Sequence, residues 1–172
     1  MRENPQLTLV LGGARSGKSV FAESLMAAHP APWNYVATAQ AYDDEMRARI
    51  AAHRLRRGAG WRTIEAPLQL VEAIAQAPIV QPLLVDCLTL WLSNRLLADA
   101  ALDSDREALV AALAARTAPT VVVSTEVGLG IVPENALARA FRDASGALHQ
   151  RIAQVAGCVR LIVAGYPVAV KG

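Results

Sequence analysis

Short runs of apolar residues alternate with longer amphipathic segments along this 172-residue chain. Five runs are nearly continuous and predict buried strands at residues 7–11, 33–37, 82–86, 120–124 and 159–164. Residues 61–65 alternate more and indicate an additional edge strand. Helical patterns cover residues 17–28, 43–57, 67–76, 88–101, 104–116 and 133–156. We therefore expect an α/β fold in one domain, residues 1–172, whose mostly parallel sheet is covered by helices on both faces.

Composition narrows the class of protein. Hydrophobic residues make up 53% of the chain and charged residues 19%, which excludes a disordered chain. A net charge of +2 does not indicate nucleic-acid binding, and the locally bunched arginines suit anionic small molecules. The two cysteines form no disulfide framework or zinc site. Residues 1–6 hold no secretory segment and no apolar run reaches the roughly 18 residues of a membrane span, so we expect a cytoplasmic protein.

The segment after the first predicted strand carries the clearest chemistry. Residues 12–19, GGARSGKS, fit the phosphate-binding pattern G-x-x-x-x-G-K-[ST] without a mismatch. The glycines let backbone N–H groups turn toward phosphate oxygens, and the following helix adds its positive end. Lys18 would reach the β- and γ-phosphates, and Ser19 would offer its hydroxyl to Mg²⁺. The nucleotide-binding prediction covers Gly12, Gly13, Ala14, Arg15, Ser16, Gly17, Lys18 and Ser19. The alternative is a glycine-rich turn that binds nothing.

A second metal ligand is expected at the end of a neighbouring strand. Asp86 closes the apolar run LLVD and is a better candidate than Glu126, which also follows a strand. A helix cap is the alternative role for Asp86.

Residues 43–58 predict a helix that opens with acids and closes with arginines. His53 lies in its basic half at helical spacing from Arg49 and Arg56. Nearby cations favour the neutral imidazole, which is the form that can attack phosphorus. From the spacing alone, an ordinary surface histidine among solvated arginines is the favoured interpretation. His29 and His149 have no such setting and are expected to be structural.

The segment TEVGLGIVP, residues 125–133, interrupts the alternation of strands and helices. It follows a strand at the end where open α/β sheets place their ligands. A connecting loop and a mobile loop on the substrate side both fit this pattern.

Several blocks together resemble the bifunctional adenosylcobinamide kinase/adenosylcobinamide-phosphate guanylyltransferase family of cobalamin biosynthesis. They are GGARSGKS, YVATAQAYDDEMRARIAAHR, WRTIEAP, VDCLTLWLSN and STEVGLGIVPENALARAFRDASGALHQRIA, which span nearly the whole chain. The resemblance implies a RecA-like P-loop protein, active as a homo-oligomer and trimeric in the best-known case. Its substrates would be ATP or GTP together with adenosylcobinamide and adenosylcobinamide phosphate.

The resemblance also assigns roles to residues. The family histidine that becomes guanylylated corresponds to His53, which makes His53 and Lys18 the predicted catalytic residues, with Ser19 and Asp86 as Mg²⁺ ligands. Beyond the P-loop, the implied GTP contacts fall on Ala37, Thr38, Ala39, Arg54, Leu55, Arg56, Arg57, Glu65 and Asp86. Two positions depart from the family pattern, because Thr125 and His149 stand where asparagine is common.

Two other functions are compatible with the residues. One is a small-metabolite P-loop kinase that transfers no nucleotide. The other is a non-metabolic NTPase or switch subunit whose arginine helix contacts a partner. The chain has no separate segment for such a partner.

Overall fold

The computed structural model describes residues 2–41, 43–98 and 102–172. Within these ranges the side chains of Glu45, Met46, Arg49, His53 and Arg56 lie outside the description. The strands are β1 (Asn4–Gly12), β2 (Trp33–Ala37), β3 (Trp61–Glu65), β4 (Leu83–Asp86), β5 (Thr120–Thr125), β6 (Ala156–Val163) and β7 (Tyr166–Lys171). The helices are α1 (Lys18–Ala27), α2 (Asp44–Arg56), α3 (Leu70–Gln76), α4 (Leu88–Leu97), α5 (Leu102–Ala114) and α6 (Ala136–Val155).

One seven-stranded sheet joins the strands in the order β3-β2-β4-β5-β1-β6-β7. Every neighbouring pair is parallel except β6 and β7, which are antiparallel. The α/β class and the mostly parallel sheet are therefore confirmed. No helix among the described residues is long and apolar enough to cross a lipid bilayer.

Apolar side chains alternate between the two faces of the central strands. Leu83 and Val85 join the larger buried cluster, in which α3, α4, α5 and α6 pack on one face. Leu84, between them in sequence, points to the other face and joins the cluster built on α1. This alternation buries both faces of β4, which explains why its sequence is continuously apolar.

All six predicted strands are present, and 61–65 forms the edge strand β3 as expected. The sequence analysis missed β7, in which Pro167 argues against a strand. Proline is tolerated there because β7 is an edge strand, which needs backbone donors on one side only. The sequence signal for this hairpin is Gly165, which directly precedes β7. In the structure the hairpin turns at Ala164 and Gly165, and both residues have positive φ.

The register of the strands places the predicted ligand-binding residues side by side at the carboxyl end of the sheet. Gly12 is paired with Thr125, and Ala37 is paired with both Glu65 and Asp86. These residues close β1, β5, β2, β3 and β4 respectively, all at the carboxyl end. The candidate site thus lies at the edge where open parallel sheets bind ligands.

A buried arginine stabilises the end of the sheet opposite the candidate site. Arg116 is 4% exposed and ties the end of α5 to the connection between α3 and β4. Its guanidinium donates hydrogen bonds to the carbonyl oxygens of Ile74, Ala77, Pro78 and Gln81 and to the Thr120 hydroxyl, at 2.6–3.5 Å.

Replacing Arg116 with methionine is expected to lower the free energy of unfolding by about 3 kcal/mol or more, because several buried acceptors lose their donor at once. Denaturant unfolding measures the change. The matched control is Arg151→Met, which removes an exposed ion pair with Glu107 and should leave the midpoint nearly unchanged. Equal midpoints for the two variants would contradict this role of Arg116.

Candidate active site

The loop between β1 and α1 has the geometry of a phosphate cradle. Gly17 has φ of 99°, which favours glycine, and α1 begins at the next residue. A Cβ atom at Gly12 would lie 2.6 Å from Ser16 Oγ and 2.7 Å from the carbonyl oxygen of Ile162, so a side chain there would displace the loop. Lys18 is only 9% exposed, and its Nζ donates to the carbonyl oxygen of Gly13 at 2.6 Å. The ammonium group is thus held inside the curve of the loop.

The β6–β7 hairpin supports this loop from behind. The N–H of Gly165 donates to the carbonyl oxygen of Ser16 at 2.9 Å. A Cβ at Gly17 would lie 3.3 Å from the Cα of Gly165, so the two backbones are in close contact. The hairpin, whose second strand β7 the sequence analysis missed, therefore helps to fix the P-loop.

A groove of about 1190 Å³ opens in front of the P-loop. It lies between the carboxyl ends of the strands and helix α2. Of the predicted site residues, those that line it are Arg15, Ser16, Gly17, Lys18, Ser19, Ala37, Ala39, Arg54, Leu55, Arg57, Glu65 and Asp86.

Asp86 lies at the floor of this groove, at the end of β4. Its Oδ2 atom is buried and has no hydrogen-bond partner among the described residues. The helix-cap alternative fails, because the N-cap of α4 is Cys87 and no side chain bonds there. A buried carboxylate oxygen without a partner is costly, and a cation would relieve that cost.

The Mg²⁺ prediction fits these residues. Ser19 and Asp86 line the same groove and offer the oxygen ligands that Mg²⁺ prefers. In residues 2–41, 43–98 and 102–172, no three His, Cys, Asp or Glu side chains form a cluster able to hold a metal. The remaining ligands would therefore have to come from phosphate and water, as is usual for Mg²⁺ with nucleotides.

Helix α2 supplies positive charge to the opposite wall of the groove. Arg47 and Arg54 of α2, and Arg57 directly after it, line the groove, and Arg54 forms an ion pair with Glu65 of β3. The guanidinium carbon of Arg57 lies 3.5 Å from the ring centre of Tyr35, which is a cation–π contact. His53 lies within α2, but its side chain and that of Arg56 fall outside the described part of the structure.

Three predicted P-loop contacts and Thr38 are not brought to this groove. Gly13 and Ala14 line a second, smaller cleft, which shares Arg15 and Ser16 with the groove, and Gly12 lines neither. Thr38 is fully buried, and its hydroxyl donates to the carbonyl oxygen of Cys87 at 2.6 Å and accepts from the Cys87 N–H at 2.8 Å. In this arrangement its side chain joins β2 to β4 instead of facing a ligand.

Other groove residues were not anticipated from the sequence. Tyr35 is one of them; burial raises the pKa of its hydroxyl well above the usual range, and the neighbouring Asp86 carboxylate adds to the shift. Burial likewise raises the pKa of the Cys87 thiol to about 11, so this groove residue stays protonated at neutral pH. Thr89 and Thr125 also line the groove. Tyr35 lies two residues before Ala37 in β2, and the period of two in strands was the available signal.

The segment between β5 and α6, residues 126–135, has no regular secondary structure. Leu129 and Ile131 are 84% and 96% exposed. At its end, Asn135 caps α6 by accepting hydrogen bonds from the N–H groups of Leu137 and Ala138.

Comparison with known proteins agrees with this geometry. The family described as cobinamide kinase / cobinamide phosphate guanyltransferase matches residues 8–170. The bifunctional adenosylcobalamin biosynthesis protein CobP of Pseudomonas aeruginosa is 50% identical over 167 residues, covering 95% of this chain and 96% of that protein. The proteins named bifunctional adenosylcobalamin biosynthesis protein CobU from Salmonella typhimurium and Escherichia coli are 41% and 39% identical, each covering 96% of this chain and 99% of its own length.

A solved structure from Pyrococcus horikoshii OT3 shares the fold. It is 12% identical in sequence, with a TM-score of 0.50, and the match covers 100% of this chain and 88% of that one. This similarity concerns the arrangement of strands and helices alone.

Proposed function

The chain belongs to the cobinamide kinase / cobinamide phosphate guanyltransferase family, and we propose that the groove in front of its P-loop serves both activities. The observation that carries this proposal is the convergence of Lys18, Asp86 and the α2 arginines on one cavity. Such a cavity offers positive charge along the whole length of a nucleoside triphosphate. A glycine-rich turn that binds nothing, the alternative for GGARSGKS, would not require the arginine wall.

In the first reaction, the hydroxyl of the aminopropanol arm of adenosylcobinamide attacks the γ-phosphorus of ATP or GTP. Lys18 and the backbone N–H groups of the P-loop stabilise the negative charge that develops on the phosphoryl oxygens. Mg²⁺ held by Ser19 and Asp86 would supply further positive charge beside those oxygens. The γ-phosphorus bond to the bridging oxygen breaks, and a nucleoside diphosphate leaves.

In the second reaction, an imidazole nitrogen of His53 attacks the α-phosphorus of GTP, and pyrophosphate leaves. A phosphate oxygen of adenosylcobinamide phosphate then attacks the same phosphorus and breaks its bond to nitrogen. The product is adenosylcobinamide-GDP. Arg54, in the same helix as His53, and Arg57, which directly follows that helix, line the groove and would hold the triphosphate during the attack.

Isotope transfer tests the two reactions separately. The purified protein is incubated with adenosylcobinamide and GTP labelled at either the γ- or the α-phosphorus. We expect the label of γ-labelled GTP to appear in adenosylcobinamide phosphate. The label of α-labelled GTP should appear in adenosylcobinamide-GDP, and its transfer should be accompanied by release of pyrophosphate. A plain metabolite kinase would never transfer the α-label. An NTPase or switch subunit would transfer neither label to cobinamide.

Asp86→Asn tests the proposed metal site. The variant should lower kcat/KM for phosphoryl transfer by about 100-fold and raise the Mg²⁺ concentration needed for half-maximal rate. The exposed Asp103→Asn in α5 is the matched control. Because Asp86→Asn also removes the charge from a carboxylate whose Oδ2 atom is buried without a partner, thermal stability without nucleotide should not fall. An unchanged Mg²⁺ dependence would contradict the assignment.

We propose further that the chain acts in the cytoplasm as a single-domain protein in a homo-oligomer, a trimer by the family resemblance. The feature of the structure that supports a homo-oligomer is β7, the edge strand beyond β6. Its side chains Tyr166, Val168 and Val170 are 76%, 49% and 62% exposed.

A further inference from the structure

A chain of polar side chains runs from the nucleotide groove to the second cleft. Thr89 lines the groove, and its hydroxyl accepts a hydrogen bond from the N–H of Thr125 at 2.6 Å. It lies 3.1 Å from the hydroxyl of Ser124, which is 2.7 Å from Nε2 of His149. The other ring nitrogen of His149, Nδ1, lies 3.6 Å from Oε2 of Glu126. The chain therefore ends on a carboxylate.

His149 is 6% exposed, and burial lowers the pKa of its imidazole, although the Glu126 carboxylate opposes the shift. The ring is accordingly neutral at neutral pH and carries one N–H. Placing that hydrogen on Nδ1 directs it at the carboxylate and lets Nε2 accept from the Ser124 hydroxyl. We assign this tautomer because it gives the Ser124 hydroxyl an acceptor and points the remaining N–H at the carboxylate, 3.6 Å away.

Glu126 is fixed on two further sides. Its N–H donates to the carbonyl oxygen of Gly12 at 2.9 Å, which joins the end of β5 to the P-loop. Its Oε1 accepts from the N–H of Gly128 at 2.6 Å. The side chain nevertheless remains 23% exposed and lines the second cleft, of about 430 Å³, beside Arg15 and Ser16.

Arg15 and Ser16 line both cavities, so a ligand in the second cleft and a nucleotide in the groove would meet at the P-loop. Three described acidic residues line the two cavities: Glu65, Asp86 and Glu126. Glu65 is paired with Arg54, and Oδ2 of Asp86 is buried on the floor of the nucleotide groove. Glu126 is thus the described carboxylate that faces the second cleft beside the P-loop.

We infer that Glu126 accepts the proton of the acceptor alcohol during phosphoryl transfer, and that His149 is a positioning residue that fixes its carboxylate. The inference rests on the proposed kinase activity. The alcohol enters from the second cleft, its O–H bond breaks, and the proton moves to Glu126. The alcohol oxygen forms a bond to the γ-phosphorus, whose bond to the bridging oxygen breaks with the electron pair leaving on the nucleoside diphosphate.

Glu126→Gln tests the proton-acceptor role. The variant should lower kcat for phosphorylation of adenosylcobinamide by 10²–10⁴-fold. Labelling of the enzyme by α-labelled GTP should stay within a few-fold of the unmodified protein, because that step uses no acceptor alcohol. Glu134→Gln, an exposed glutamate in the same segment, is the matched control and should be fully active.

A kcat loss smaller than 100-fold, or a loss restored by higher Mg²⁺, would overturn the role. Glu126→Asp keeps a carboxylate and should retain more phosphorylation activity than Glu126→Gln, which distinguishes loss of the proton acceptor from loss of folding. The role of Glu126 and the proposed kinase activity can fail independently in these experiments. Failure of the unmodified protein to transfer γ-label would overturn the kinase activity itself, whereas a fully active Glu126→Gln would overturn only this inference.

His149→Leu and His149→Asn test the positioning role. Leucine removes both ring nitrogens and should lower kcat about tenfold while KM for the nucleotide stays unchanged. Asparagine can donate to Glu126 and accept from Ser124, so it should restore most of the rate. Equal rates for the leucine variant and the unmodified protein, or no recovery with asparagine, would overturn the positioning role.

Discussion

Lys18→Met is expected to reduce kcat for phosphorylation of adenosylcobinamide by about a thousandfold. Lys18 is 9% exposed and its ammonium group is bonded to the carbonyl oxygen of Gly13, so the position of that group is set before the nucleotide arrives. A preorganised charge in a site that excludes water stabilises the transferring phosphoryl group more than a mobile one would. Methionine keeps the length of the side chain and removes only the charge.

Steady-state kinetics with γ-labelled ATP or GTP measure this loss. Arg62→Met is the control, because Arg62 is an exposed cation on β3 that does not line the groove. Guanylyl transfer should also weaken in Lys18→Met, since both reactions use the same triphosphate. Phosphoryl transfer within tenfold of the unmodified rate would contradict the assignment of Lys18.

His53→Ala is expected to reduce formation of adenosylcobinamide-GDP by about 10⁴-fold or more, because the reaction then lacks its nucleophile. Phosphorylation of adenosylcobinamide should remain within about tenfold, since γ-phosphoryl transfer does not use the imidazole. The split between the two activities is the informative result. A structural defect in α2 would reduce both, because Arg54 and Arg57 line the shared groove.

Separate assays of the two products measure the split. His29→Ala is the control, because His29 is a half-buried histidine that does not line the groove, and its carbonyl oxygen, which any residue retains, accepts from the Trp33 ring N–H. Loss of both activities in His53→Ala to the same extent would contradict a specific role in nucleotidyl transfer.

The parts of the fold that the sequence predicts are those with a local cause. Continuous apolar runs such as LLVD predict strands buried on both faces, and β4 is such a strand. The P-loop is also local, because its glycines, Lys18 and the following helix are contiguous in sequence. Parallel strands then place Asp86 and Glu65 at the same edge, as the register of β2, β3 and β4 requires.

The remaining features depend on contacts between distant segments. Arg57 stacks on Tyr35 across 22 positions of sequence, and no spacing rule links a strand residue to the end of the next helix in this way. His149, expected to be structural, faces Glu126 and Ser124 only because α6 packs against the end of β5. Thr38 lies between two groove residues, yet its hydroxyl turns to Cys87, which becomes visible only when β2 and β4 are paired.

The most direct test of the proposed function is covalent labelling by GTP labelled at the α-phosphorus, followed by mapping of the labelled peptide. The chain contains three histidines. We predict an acid-labile, base-stable label on the peptide that contains His53, with release of pyrophosphate and no label from γ-labelled GTP. Label on another peptide, or persistence of the label in His53→Ala, would contradict transfer of GMP through His53.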